Sequence, residues 1–171
     1  MGVQFSRFLP ALEVISAELE GMPEPWAITG SLGFALQGAQ VEVHDIDLQT
    51  SQAGALEIER RLAAYSKRAV VFSEAGWIRS YFGSLEVQGV TVEIMGDLQK
   101  RMPDGSWEAP VDVSELCLWV ETSGLRLPVM DLEYEYQAYR ILGRFERAAL
   151  LREWLDAHPR SPGDQAPGSS F

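Results

Sequence analysis

Two carboxylates two residues apart, in His44-Asp-Ile-Asp-Leu48, are the residues of this chain best placed to do chemistry. Side chains alternate faces along a strand, so Asp45 and Asp47 leave one side while Ile46 and Leu48 leave the other. Their α-carbons are then about 6.6 Å apart, near enough for both to reach one or two divalent cations. Like charges at that spacing repel unless a cation or a basic side chain lies between them, or one takes up a proton. Arg79, on a strand of its own, is the basic residue considered for that place. Its planar fork suits a salt bridge to the pair and suits a phosphate equally, and both roles stay open. Upstream, Gly30 permits close backbone approach. Ser31 can cap a following helix, so that the amides there meet a phosphate.

The order Ile28-Thr-Gly-Ser31, a spacer of thirteen residues, then Asp45-Ile-Asp-Leu48 resembles the nucleotidyltransferase superfamily that includes DNA polymerase beta, in particular its small bacterial branch. The resemblance implies transfer of a nucleoside monophosphate from a nucleoside triphosphate, ATP being expected, to an acceptor hydroxyl, with Mg²⁺ as cofactor. It implies Asp45, Asp47 and a third carboxylate from a later strand as catalytic and metal-binding residues, with Gly30 and Ser31 seating phosphates. Glu93, a lone acid between Val92 and Ile94, is the residue that fills the third place. It is preferred to Asp97, which follows Gly96 where the strand is expected to end. The alternative is an edge-strand glutamate facing water. Many members carry a lysine in a C-terminal helix for the triphosphate, and here residues 131–156 contain none, leaving Arg140, Arg144, Arg147 and Arg152.

Elements must position these groups. Phe5, Phe8, Leu12, Ile15 and Leu19 recur at helical spacing, and Gly21, Pro23 and Pro25 end that helix. Trp26 to Thr29 is a short strand into the Gly-Ser turn. A helix follows through Leu32, Ala35 and Leu36, and Val41 to Thr50 forms the carboxylate strand. Ala55 to Tyr65 is helical. Ala69 to Phe72, Trp77 to Phe82 and Ser84 to Met95 read as strands divided by Gly76 and Gly83. A loop around Asp104-Gly105, an extended Leu125 to Met130 and one long helix from Leu132 toward Leu155 complete the pattern. The fold class expected is α/β (α+β): a mixed, twisted sheet with flanking helices and a helical C-terminal segment. One domain spans 1–157, and 158–171, rich in Pro, Gly and Ser, forms a frayed tail.

The 171 residues, 46% of them hydrophobic, suit one globular domain, and a net charge of −11 opposes an extended nucleic-acid-binding surface. The acidic field favours a small or cationic acceptor, an antibiotic such as an aminoglycoside among them. Modification of a protein or RNA, as in toxin–antitoxin systems, is the second reading, and a non-catalytic nucleotide- or partner-binding module the third. A single cysteine, Cys117, no leader and no membrane-length apolar run indicate a soluble cytoplasmic protein. The small size of the members of that bacterial branch implies an acceptor pocket completed by a homodimer partner or by the Leu132 helix, and both stay open.

Overall fold

The computed structural model describes residues 3–161. Val3–Phe8 forms a 3-10 turn that leads into helix α1, Leu9–Glu18, with Pro10 in its first turn, where a missing amide costs nothing. Phe8, Leu12, Ile15 and Leu19 bury one stripe, as their spacing predicts. Strand β1 is Trp26–Thr29, helix α2 Gly30–Leu36, strand β2 Ile46–Thr50 and helix α3 Gln52–Arg61. Then come strands β3, Ser66–Ala75, β4, Ile78–Val87, and β5, Val90–Lys100. A short helix α4, Val113–Leu116, precedes strands β6, Cys117–Thr122, and β7, Leu125–Met130, and helices α5, Leu132–Ile141, and α6, Phe145–Ala157, follow.

Among the described residues the strands form one seven-stranded sheet in the order β3-β4-β5-β2-β1-β7-β6. β2 runs antiparallel to β1 and parallel to β5, and β1 runs parallel to β7. The sheet is mixed, as expected. On one face Ile46, Leu48, Val92 and Ile94 are fully buried in the main core. Gly96 also lies there, because a Cβ on it would sit 2.7 Å from the Ser51 carbonyl and 2.8 Å from the Ala55 side chain at the start of α3. The opposite face of β2 and β5 carries the carboxylates.

Several boundaries differ from the sequence reading. Val41 to Asp45 is loop, so Asp45 immediately precedes β2. Gly83 lies inside β4 and does not divide strands. A Cβ there would be 2.6 Å from Val70, so glycine serves close approach of β3, and the β4–β5 turn falls at Gln88 and Gly89, both with positive φ. β5 runs five residues past Met95, through a bulge where Asp97 takes φ 48°. The long C-terminal helix is two helices, broken where Gly143 takes φ 70°. Strand β6 has no counterpart in the sequence reading. The proposed tail falls mostly at 162–171, outside the described residues. Among the described residues no helix is long and apolar enough to cross a membrane.

Candidate active site

The parallel register of β2 and β5 pairs Asp47 with Glu93, so both side chains leave the same face. Asp45 joins them from the loop, and one ligand atom from each of the three lies within 4.8 Å of the others. All three are half-buried. Burial pushes the Asp47 carboxyl up to about 8, with the charges of Asp45 and Glu93, a hydrogen bond with Glu93 and the charge of Glu135 adding to it. Among the described residues no lysine, arginine or histidine forms an ion pair with any of the three. Converging oxygens without a basic partner are the donor set that a hard divalent cation takes, so the residues fit such an ion.

Asp47 and Glu93 open onto a cavity of about 400 Å³. Its lining alternates along each strand: Asp47 and Gln49 from β2, Ile78, Ser80 and Phe82 from β4, Glu93 and Met95 from β5. The bulge at Asp97 changes the phase of β5. Past it, Leu98 and Lys100 face the cavity, whereas strict alternation would have turned them toward the core. Lys100 is 2% exposed, 2.5 Å from Glu108 and 3.3 Å from the Tyr134 hydroxyl, which also accepts a hydrogen bond from Gln49 at 3.3 Å. Burial works against the Lys100 charge, and Tyr134 and Glu108 outweigh it, leaving its pKa raised.

Gly30 takes φ 67°, and a Cβ there would lie 2.6 Å from Asp47 Oδ2, so only glycine lets that carboxylate sit against the turn. Thr29, not Ser31, is the N-cap position of α2. The Gly30 amide donates to Glu135 Oε1 at 3.1 Å and so is not free for a phosphate. The Ser31 hydroxyl accepts from Arg147 Nη1 at 2.8 Å, which brings a cation from α6 to the turn. Arg144 lines the cavity, whereas Arg140 stacks on Tyr136.

Arg79 is not brought to the site. Its neighbours Ile78 and Ser80 face the cavity, so Arg79 faces away. Its Nε donates to Gln99 Oε1 at 3.0 Å and its guanidinium covers the Trp107 ring at 4.5 Å. It neither bridges the carboxylates nor reaches the phosphate seat. His44 is exposed beside Glu42. Sequence reasoning overlooked Gln49, Lys100, Tyr134 and Glu135. Only Glu135 left a trace: it sits three residues after Leu132 and four before Tyr139, an acid on the apolar stripe of its helix.

A mixed sheet with a Gly-Ser turn leading into a helix and three clustered carboxylates, two on parallel neighbouring strands and one from the loop before them, is the framework of a nucleotidyltransferase. The model of the aminoglycoside-2''-adenylyltransferase family matches residues 11–153, and the chain belongs to that family. A solved structure assigned as a nucleotidyltransferase, TM1012 from Thermotoga maritima, is 50% identical over 88% of this chain and 94% of its own, with a TM-score of 0.77. ANT(2'')-Ia, solved with adenylyl-2''-tobramycin, shares the fold at 16% identity, 86% and 88% coverage and a TM-score of 0.51. A search of curated proteins finds no match.

Proposed function

We propose that the protein moves a nucleoside monophosphate, with ATP as donor, onto a hydroxyl of a small molecule such as an antibiotic. The observation that carries this reading is the convergence of Asp45, Asp47 and Glu93 within 4.8 Å with no basic side chain paired to them. Asp45, Asp47 and Glu93 hold Mg²⁺, which when bound neutralises phosphate charge and eases ionisation of the acceptor hydroxyl. In the transfer the acceptor oxygen bonds the α-phosphorus, the bond from that phosphorus to the oxygen bridging to the β-phosphorus breaks, pyrophosphate leaves, and the hydroxyl proton passes to solvent. Such a reaction asks a protein mainly for positioning and charge complementarity.

The Ser31 hydroxyl and the Arg147 guanidinium stand together and supply a donor and a cation for the leaving phosphates, in the place of the family lysine. Ile78, Phe82, Met95 and Leu98 form an apolar wall of the cavity and offer an acceptor an apolar surface to lie against. A cavity of about 400 Å³ suits a small molecule in preference to a macromolecule. Family membership, and the adenylylated tobramycin seen with ANT(2'')-Ia, support an antibiotic-like acceptor. A single cysteine suits a cytoplasmic setting.

The test is calorimetric binding of a nonhydrolysable triphosphate with and without Mg²⁺, then transfer of α-labelled nucleotide onto tobramycin, lincomycin and a whole-cell lysate. Mg²⁺-dependent binding and a labelled small molecule are expected. Label on protein or RNA would move the acceptor to a macromolecule. A chain that binds no triphosphate with Mg²⁺ would end the reading.

A further inference from the structure

Glu135 is a fourth acid in this region, and it is not one of the three that converge. It lies on α5, 5% exposed, and accepts hydrogen bonds from the Thr29 hydroxyl and from the Gly30 amide. Among the described residues no cation pairs with it, since Lys100 is engaged by Glu108 and Tyr134. A buried acid on an otherwise apolar helix stripe, held only by two donors from one turn, calls for a reason beyond packing.

The reason lies in where those donors stand. Thr29 is the cross-strand partner of Asp47 in the antiparallel β1–β2 pair, so the two side chains leave the same face. Gly30 lies against Asp47 so closely that an added Cβ would be 2.6 Å from Oδ2. The hydroxyl of Thr29 and the amide of Gly30 are therefore polar hydrogens beside the carboxylate. Buried donors seldom stay unpaired, and the Asp47 carboxylate, across the register from Thr29 and against Gly30, is the acceptor we assign to them when Glu135 is removed. Lone pairs spent on them are lost to a metal.

We propose that Glu135 is a positioning residue that holds the Thr29 hydroxyl and the Gly30 amide away from Asp47 and so keeps the Asp47 carboxylate open to a divalent cation. The assignment rests on the cation-binding reading of the trio but not on any acceptor. It also makes α5, distant in sequence from Asp47, part of the apparatus that sets metal affinity.

Mn²⁺ alone, titrated into the full chain and followed by the electron paramagnetic resonance of the free ion, reads this directly. Glu135→Leu removes the acceptor and should weaken Mn²⁺ binding by about tenfold or more, as loss of outer-sphere partners does. Glu135→Gln keeps an oxygen that accepts both bonds and should stay within about threefold. In the Glu135→Leu background, Thr29→Val removes one competing donor and should recover part of the loss, which a packing defect would not allow. Near-UV circular dichroism checks that each variant is folded, and Glu135→Met replaces Glu135→Leu should the latter unfold. Wild-type affinity in the apolar variant, a glutamine variant as weak as the leucine one, or no recovery from Thr29→Val overturns the assignment. A wild type that binds no Mn²⁺ instead overturns the cation reading of the trio, and this inference with it.

Discussion

Asp47 and Glu93 are direct register partners across the parallel β2–β5 pair, and Asp47 holds a proton up to about 8 with burial as the main cause. Two acids so placed cannot both ionise cheaply unless positive charge joins them. The arrangement therefore makes this locus the place where a response to pH, and to a divalent cation, is expected.

Stability should report this first. The folded state binds the Asp47 proton more tightly than the unfolded chain, whose carboxyl titrates near 3.8. That stabilisation is whole below the unfolded value and is lost as the pH rises through about 8. In EDTA, the Tm should fall between about pH 5 and about pH 9, and millimolar Mg²⁺ should remove most of the fall. Differential scanning calorimetry across that range is the check. A metal-free Tm independent of pH contradicts the assignment.

Asp47→Asn should separate stability from activity. Removing the charge relieves repulsion with Asp45 and Glu93, so the metal-free Tm at pH about 8 should hold or rise. Nucleotide transfer should drop at least about a hundredfold. Near-wild-type transfer by this variant would remove Asp47 from the catalytic set.

Gly30→Ala meets two obstacles at once, a backbone at φ 67° and the Asp47 oxygen 2.6 Å from the new methyl. The conformational part alone costs about 1–2 kcal/mol. Denaturant titration should show a loss at least that large, with Mg²⁺ affinity reduced beside it. Gly76, also at positive φ but with nothing near its Cβ position, is the control: Gly76→Ala should lose stability and keep Mg²⁺ affinity.

Arg147→Ala should weaken triphosphate binding by roughly tenfold or more, since a hydrogen bond to a charged group contributes about 1.5–3 kcal/mol. The effect should shrink for a nucleoside monophosphate, which lacks the leaving phosphates. Arg79→Ala should leave nucleotide affinity unchanged, because its guanidinium is on the far side of β4 against Gln99 and Trp107. Calorimetric titration of each variant with tri- and monophosphate tests both statements.

The residues legible without coordinates were those that local rules govern. Asp45 and Asp47 stand together because a single residue separates them, Gly30 and Ser31 mark a strand-to-helix turn, and Glu93 stands out among apolar neighbours. The same local rules gave most of the strands and helices, while the mixed sheet came from the family resemblance, and they erred at Gly83, where glycine answers a neighbour's crowding and makes no turn. Arg79 looked eligible because nothing in its own strand says which face the partner's carboxylates occupy; register says it, and excludes Arg79. Lys100 enters the cavity only because the bulge at Asp97 shifts the phase of β5. Glu135 and Arg147 reach the turn from helices more than a hundred residues along the chain. The sequence by itself determined that Asp45 and Asp47 stand together and which turn precedes them, since spacing within one segment settles both. Only the tertiary structure decided which charges meet there, because register, bulges and helix docking depend on contacts between segments.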